Sequence, residues 1–330
     1  MLRGSGRWAS QFKNLHKINT KNKPPFFTFS TGTDSADSKK SQPSSAPPPI
    51  QVGFTESAGR GVFATRRIGA GELIHTAKPI VSHPSLSSLH SVCYFCLKKL
   101  PNKPLFQRDG VSFCSQGCQN QSQDFHEIEK RADWSTFDDY CQTHGLKYPL
   151  LVKRFACLVI SGFASASSLD ILQPASLSPE MIPLMEKEFW LLRSTFQDAD
   201  ITAEQLVFLT KQWYSGVLAR IRINAFRVEL ACGSYEDLLS SAAASVEAEG
   251  AVGNAVYILP SFYNHDCDPN AHILWLENVD ARIMALRDID AGEELRICYI
   301  DASMDHEARQ TILAKGFGFQ CNCLRCSSHQ

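Results

Sequence analysis

Near its C-terminal end the chain reads Asn264-His265-Asp266-Cys267-Asp268-Pro269-Asn270, then Gly292-Glu293-Glu294-Leu295, Ile297-Cys298-Tyr299 and finally Cys321-x-Cys323-x-x-Cys326. Asn264, His265 and Tyr299 are polar groups set between apolar, strand-like runs, where they can hold a polar ligand and orient a reacting atom. Cys321, Cys323 and Cys326, with Cys267 upstream, make a four-thiolate set suited to tetrahedral zinc. Cys93-x-x-Cys96 and Cys114-x-x-x-Cys118 make a second set, two knuckles closing one structural site. His126 follows on the same helix but lacks partner ligands, and is expected as an exposed helix residue.

These eight are among twelve cysteines. Their clustering favours metal over a disulfide framework, since the chain is long and lacks a secretory apolar segment. Cys141, Cys157, Cys232 and Cys298 are then expected as reduced thiols. A formal net charge of -1 argues against an overall basic nucleic-acid binder, and no direct nucleic-acid site is evident. No apolar run reaches the length of a membrane span; the richest, Leu150 to Ala164, contains Lys153 and Arg154. The 330 residues, 44% hydrophobic, have room for one large domain with insertions.

The elements that must position these groups follow from patterning. Residues 1–50 differ from the rest: no acidic residue occurs before Asp34, while Arg3, Arg7, Lys13, Lys17, Lys21 and Lys23 are spread among Ser and Thr. This composition suits an organelle transit peptide, or a basic disordered tail. Residues 51–92 begin the fold, with Gly59-Arg60-Gly61 entering a strand and glycines that permit close backbone approach. Arg66-Arg67-Ile68-Gly69-Ala70-Gly71-Glu72-Leu73 and Arg287-Asp288-Ile289-Asp290-Ala291-Gly292-Glu293-Glu294 read as two similar β-turns rather than a repeat array. Residues 93–131 form the cysteine insertion, with a helix from about Gln116 to Arg131. Residues 132–250 read as a helical insertion, with Leu184, Phe189, Leu191 and Leu192 on one buried face. Arg222 to Val228 has strand-like alternation, and Ser240 to Gly253 reads as a loop. Residues 251–301 hold short strands: Val256 to Leu259, a hairpin of Ala271–Leu276 with Ala281–Leu286, and Leu295 to Ile300. A helix from His306 to Lys315 opens the tail, 302–330. Short strands without a βαβ series give an α+β class and exclude a Rossmann-type methyltransferase.

Taken together, Asn264-His265-x-Cys267-x-Pro269-Asn270, Gly292-Glu293-Glu294-Leu295, Ile297-Cys298-Tyr299 and the cysteine tail closely resemble the signature of SET-domain lysine methyltransferases with a post-SET zinc tail. Gly59-Arg60-Gly61 is similar to their first cofactor-binding strand. The cysteine insertion resembles the SET and MYND-domain subfamily, and a small plant trithorax-related SET protein is also similar in size. The resemblance implies a SET β-fold with a pseudoknot-like C-terminus. It further implies S-adenosylmethionine as methyl donor, a protein lysine (a histone tail in the family) as acceptor, and two zinc sites. By motif, Gly59, Arg60, Gly61, Asn264 and His265 would seat the cofactor, with Asn224, Phe226, Ser261 and Phe319 contributing. Tyr299 would stand at the methyl-transfer point, and Phe317 and Phe319 would wall the lysine channel.

The chemistry suits such groups. Displacement at a sulfonium carbon depends largely on positioning. The attacking lysine must be neutral, so its pKa of roughly 10.4 must fall, as desolvation and a nearby positive charge would make it do. Two departures from the family pattern stand out. Phe317 replaces the usual tyrosine, which frees space for more highly methylated products or lowers activity. The insertion lacks a second zinc set, with Lys130 at its final cysteine position. The alternatives are an organellar, non-histone methyltransferase or a catalytically weak zinc-bearing scaffold. The nucleus follows from family resemblance, and a mitochondrion or plastid from the N-terminal composition.

Overall fold

The computed structural model describes residues 47–231 and 251–328. Residues 1–46 of the expected N-terminal tail, and most of the loop expected from Ser240, lie outside these residues, while Ile50, at the tail's expected end, already opens the first strand. Four small sheets and a helical layer make up the fold. Strands β1 (Ile50–Thr55), β2 (Gly59–Ala64), β9 (Asn264–His265) and β12 (Glu294–Ile297) form one sheet in the order β1-β2-β12-β9. A second sheet joins β10 (Ala271–Leu274), β11 (Ala281–Ala285) and β3 (Leu73–Ala77), and a third joins β4 (Val81–Pro84), β8 (Gly253–Val256) and β7 (Ala225–Val228). Their shared core contains Val62, Ile68, Ile74, Tyr257, Ile283, Leu295 and Ile297, all buried. None of the described helices is long and apolar enough to cross a membrane.

The two similar turns pair with each other about a local two-fold. Ile68 and Ile289 exchange both backbone hydrogen bonds at 2.9 Å, and the Gly71 and Gly292 amides each donate at 2.8 Å to Ala285 and Ala64 respectively. Both glycines sit at positive φ, 76° and 84°, where a Cβ is strained. Arg66 pairs with Glu72 and Arg287 with Glu293, each at 2.6 Å. Through this exchange β2 runs beside β12 while β3 runs beside β11. The exposed ion pairs add little energy; the backbone exchange sets the geometry.

The zinc-type insertion comprises the hairpin β5 (Phe106–Arg108) and β6 (Val111–Phe113) with α1 (Gln116–Gln121) and α2 (Gln123–Glu129). The helix expected as one piece is therefore two, breaking at Ser122. Helices α3 (Ser135–Thr143), α4 (Tyr148–Ile160), α5 (Met181–Asp198) and α6 (Lys211–Asn224) form the helical layer. Three expectations fail locally here. Leu184 is exposed, because only Phe189 and Leu192 of the proposed stripe turn fully inward. Residues Arg222 to Asn224 are the last turn of α6, so the strand begins at Ala225. The strand placed at Val256 to Leu259 instead runs Gly253–Val256, where a Cβ on Gly253 would come within 2.4 Å of the His83 carbonyl oxygen.

One buried residue joins insertion, helical layer and strands. Arg154, on α4, donates to Glu129 Oε1 at 3.0 Å, to the Ser82 carbonyl at 3.0 Å and to the Tyr94 carbonyl at 3.1 Å. Its guanidinium also lies over the rings of Tyr94 and Phe125 at 4.1 and 4.2 Å. Burial alone would raise the Glu129 carboxyl. The Arg154 and Lys153 charges, with hydrogen bonds from Arg154 and Tyr94, bring it below the usual carboxylate range. A carboxyl held low in the fold stabilises it above the unfolded value of roughly 4.3, and that contribution is lost as pH falls through the folded value. We expect Arg154→Met to lower unfolding free energy at pH 7 by about 3 to 5 kcal/mol, since it strands a buried carboxylate. In urea titrations, the gap from wild type should narrow on going to acid, as the stranded carboxyl protonates.

Candidate active site and zinc centres

The central sheet builds the site from distant parts of the chain. β12 pairs antiparallel with β2 on one side and parallel with β9 on the other, with Arg296 opposite Asn264 and Ile297 opposite His265. The Pro260–Phe262 turn delivers Asn264 and His265 into this short parallel pairing. Two residues beyond β12, the Tyr299 amide donates to His265 Nδ1 at 3.1 Å. Nδ1 must therefore be the unprotonated nitrogen, which places the ring proton on Nε2, 3.3 Å from Cys267 Sγ. Burial pushes His265 down to about 4, so the ring is neutral near pH 7. One imidazole thus links the Tyr299 backbone to a cysteine of the tail cluster.

Gly61 is needed for the crossing. A Cβ there would meet Glu294 Oε1 at 2.7 Å, Thr55 Cγ2 at 2.9 Å and Asn264 Nδ2 at 3.2 Å. The space a side chain would fill is taken by Asn264, whose amide donates to Glu294 Oε1 at 2.7 Å and to the Arg60 carbonyl at 3.1 Å. Gly59 has φ 76°, a conformation glycine adopts without strain. Arg60 extends to the Ile171 carbonyl in the helical insertion, with its guanidinium 4.4 Å over the Phe262 ring. Asn270 supports the same crossing, donating to the Glu294 carbonyl at 2.8 Å and accepting from the Arg296 amide at 2.8 Å.

An aromatic group surrounds Tyr299. Its ring lies 5.2 Å from His265, 5.0 Å from Phe317 and 6.4 Å, nearly edge-on, from Phe319. Phe319 is also 5.9 Å from His265. Tyr299 donates its hydroxyl to the Tyr263 carbonyl at 2.6 Å, and burial raises its phenol pKa, so it stays protonated and is a poor general base. Tyr299, His265, Phe317 and Phe319 therefore come together as the sequence suggested. Ser261 and Phe226 stand one step back, around Tyr257: Ser261 donates to its carbonyl at 2.6 Å and Phe226 packs edge-on to its ring. Asn224 is buried at the end of α6, its amide donating to the carbonyls of Gln173 and Arg220.

Both cysteine sets fit a tetrahedral metal. Within each set every sulfur lies within 4.8 Å of the others. Cys96–Cys114 and Cys114–Cys118 are each 3.5 Å apart, Cys267–Cys326 is 3.5 Å and Cys267–Cys321 is 3.9 Å. A Zn–S bond of about 2.3 Å gives a tetrahedral edge of about 3.8 Å. The sulfur separation in a disulfide is about 2.05 Å. The tail set has further support that no sequence motif announces. Gln310 clasps the Cys321 backbone through two hydrogen bonds of 2.6 and 2.9 Å, and the buried Arg309 directs Nη2 at Cys326 Sγ, 3.7 Å away.

The first set departs from expectation at one residue. His126 is buried, not exposed, and packs edge-on against Tyr94 and Phe113 with Asp109 Oδ2 3.6 Å from its Nε2. Lys130 pairs with Glu127 at 2.6 Å and approaches the same Asp109. Ion pairs and aromatic packing, rather than thiolates, occupy that corner of the insertion. We therefore expect elemental analysis of the purified chain to find two zinc equivalents. Cys118→Ser or Cys326→Ser should each leave one, and the double variant none; unchanged metal content in either single variant would contradict the ligand sets.

Comparison with known proteins completes the picture. Residues 59–300 match the SET domain family. Histone-lysine N-methyltransferase ATXR4 of Arabidopsis thaliana is 62% identical over 323 residues, covering 98% of this chain and 97% of that protein. A SET and MYND domain-containing protein of Dictyostelium discoideum is 27% identical over 271 residues, covering 77% of this chain and 76% of that one. The match spans the strand with Gly59 through to the segment with Tyr299, the same stretch whose crossing builds the site. The chain belongs to the SET-domain family.

Proposed function

We propose that this chain transfers a methyl group from S-adenosylmethionine to the ε-amine of a protein lysine, with a histone tail as the first acceptor class to test. The observation that carries this reading is the hydrogen bond from the Tyr299 amide to His265. It sets the His265 ring beside Tyr299, whose own ring packs against Phe317 and Phe319. The ATXR4 relative carries a histone-lysine methyltransferase name across nearly its whole length, which supports the same acceptor class.

The methyl donor supplies an electrophilic carbon on a sulfonium. Gly59, Arg60, Gly61, Asn264 and His265 would line its seat; Asn224, Phe226 and Ser261 act through the packing behind it. The neutral imidazole of His265 adds no positive charge to a seat that must accept a cation. Tyr299 keeps its proton and orients the incoming amine, while the proton lost from the lysine leaves to solvent. Phe317 and Phe319 present apolar faces that strip water from the amine and tolerate the methylated ammonium. With phenylalanine at 317, no hydroxyl there restrains a partly methylated nitrogen, so products beyond monomethyl-lysine are expected. Zinc held by Cys267, Cys321, Cys323 and Cys326 would fix the channel wall, and zinc on Cys93, Cys96, Cys114 and Cys118 would hold the insertion.

A second acceptor reading rests on the N-terminal composition, which lacks acidic residues before Asp34 and suits organellar import. Imaging residues 1–50 fused to a fluorescent protein distinguishes the two: organellar signal favours a non-histone acceptor, and nuclear or diffuse signal removes that reading.

We expect S-adenosylmethionine to raise the melting temperature of the full chain, by a shift that grows with ligand concentration. Labelled-methyl transfer to core histones should be measurable. Tyr299→Phe should reduce turnover by on the order of a hundredfold, with the melting shift retained. Absence of any shift with wild-type protein would sink the enzyme reading in favour of a binding scaffold.

A further inference from the structure

Behind Tyr299 lies a buried polar pair that the site described so far does not use. His75, in β3, and Tyr263, immediately before β9, bring His75 Nε2 and the Tyr263 hydroxyl within 2.9 Å. Both side chains are buried, Tyr263 at 0% exposure and His75 at 7%. The Tyr263 carbonyl is the acceptor for the Tyr299 hydroxyl at 2.6 Å. Tyr263 therefore holds the transfer tyrosine through its backbone while its side chain is tied to a different sheet. His75 is well placed as an anchor, because it stands opposite Ile283 in the β3–β11 pairing, beside the irregularity between Ile283 and Met284.

We infer that His75 and Tyr263 form a strut that fixes the Tyr263 carbonyl, and through it the direction of the Tyr299 hydroxyl, so that His75 is a positioning residue for the transfer step. This rests on the methyl-transfer reading above. The geometry carries it. The short turn Pro260–Phe262 is held by local bonds, the Tyr263 amide to the Pro260 carbonyl at 3.3 Å and Ser261 to the Tyr257 carbonyl at 2.6 Å, and its successor β9 is only two residues long. The phenol contact adds to these short-range bonds a tie from residue 263 to a neighbouring sheet. Burial also pushes His75 down to about 4 and raises the Tyr263 phenol, so near pH 7 both partners are neutral and one proton bridges them. A buried hydroxyl and ring nitrogen left unpaired cost stability, which keeps the contact closed.

Three full-length variants test the strut: His75→Leu, which removes the partner atom; His75→Gln, whose side-chain amide reaches toward the position of Nε2; and Tyr263→Phe, which removes only the phenol oxygen. Turnover on core histones with labelled S-adenosylmethionine is compared with binding of S-adenosylhomocysteine. His75→Leu and Tyr263→Phe should lower kcat by on the order of tenfold to a hundredfold, the effect of a small misplacement of the reacting groups, with cofactor affinity unchanged. His75→Gln should recover most of the loss. Wild-type kcat in both His75→Leu and Tyr263→Phe would overturn the inference, and so would cofactor affinity falling in parallel with kcat, the mark of general loosening. If wild-type protein methylates nothing, the methyl-transfer reading fails, and crystal structures of the variants still judge the strut. Loss of the Tyr299–Tyr263 contact in His75→Leu and Tyr263→Phe, but not in His75→Gln, supports it; an unchanged contact in all three overturns it.

Discussion

The parallel pairing of β12 with β9 is the contact on which the rest depends. It joins only Arg296 with Asn264 and Ile297 with His265, yet it sets the asparagine–histidine pair beside the segment bearing Tyr299. Two parallel strands need a long connection between them. Here the connection is the β10–β11 hairpin and the second of the paired turns, so β12 returns between β2 and β9 rather than at a sheet edge. Gly61 belongs to this crossing, since a Cβ there would come within 2.7 Å of Glu294 Oε1 and 3.2 Å of Asn264 Nδ2 and those side chains would have to shift. The bond from the Tyr299 amide to His265 then extends the pairing beyond the strand ends.

The tail depends on the same crossing but adds its own physics. Its small core consists of Cys267, Cys321, Cys323, Cys326 and Leu313, with Tyr299, Ile300 and Phe317 packed against it. So little apolar surface cannot offset the ordering of a chain end. Four thiolates around a metal can, because binding free energy becomes folding free energy. Since Cys267 lies two residues beyond His265, that metal would be anchored to the crossing itself, and the N–H···S contact from His265 makes the attachment direct. The insertion has its own thiolate set and in addition a buried arginine–glutamate pair and aromatic stacking that tie it to α4 and β4.

Much of this is legible in the amino-acid sequence. Thiolate spacing reports the local geometry of a knuckle, so both cysteine sets could be read from the chain. The hairpin of β10 with β11 and the strand β12 are legible in the C-terminal part, because alternation on a half-buried sheet has a period of two, whereas β8, buried on both faces, carries no such alternation. What failed depended on neighbours. By pattern His126 suits an exposed helix position, since nothing along its helix signals the Tyr94 and Phe113 rings closing over it. Leu184 fits an apolar stripe, but the helical layer ends before covering it. Arg222 to Asn224 carry β-branched and polar alternation, and tertiary packing on α6 overrode it.

Residue identity alone determined which groups are available: the Asn264–His265 pair, Tyr299, the phenylalanine at 317, eight thiols at metal-binding spacing, and glycines where the backbone must turn or be crossed. These are statements about chemistry and short-range geometry, and both are written locally. Only the tertiary structure decided which of them meet. It brought Arg60 to Ile171, joined two turns 221 residues apart in the chain, and set His75 against Tyr263 behind Tyr299. Such contacts depend on strand order and crossover, which lone polar residues such as His75 and Tyr263 do nothing to announce. The chemistry of this site is therefore spelled out along the chain, while its alignment is a property of the crossed strands.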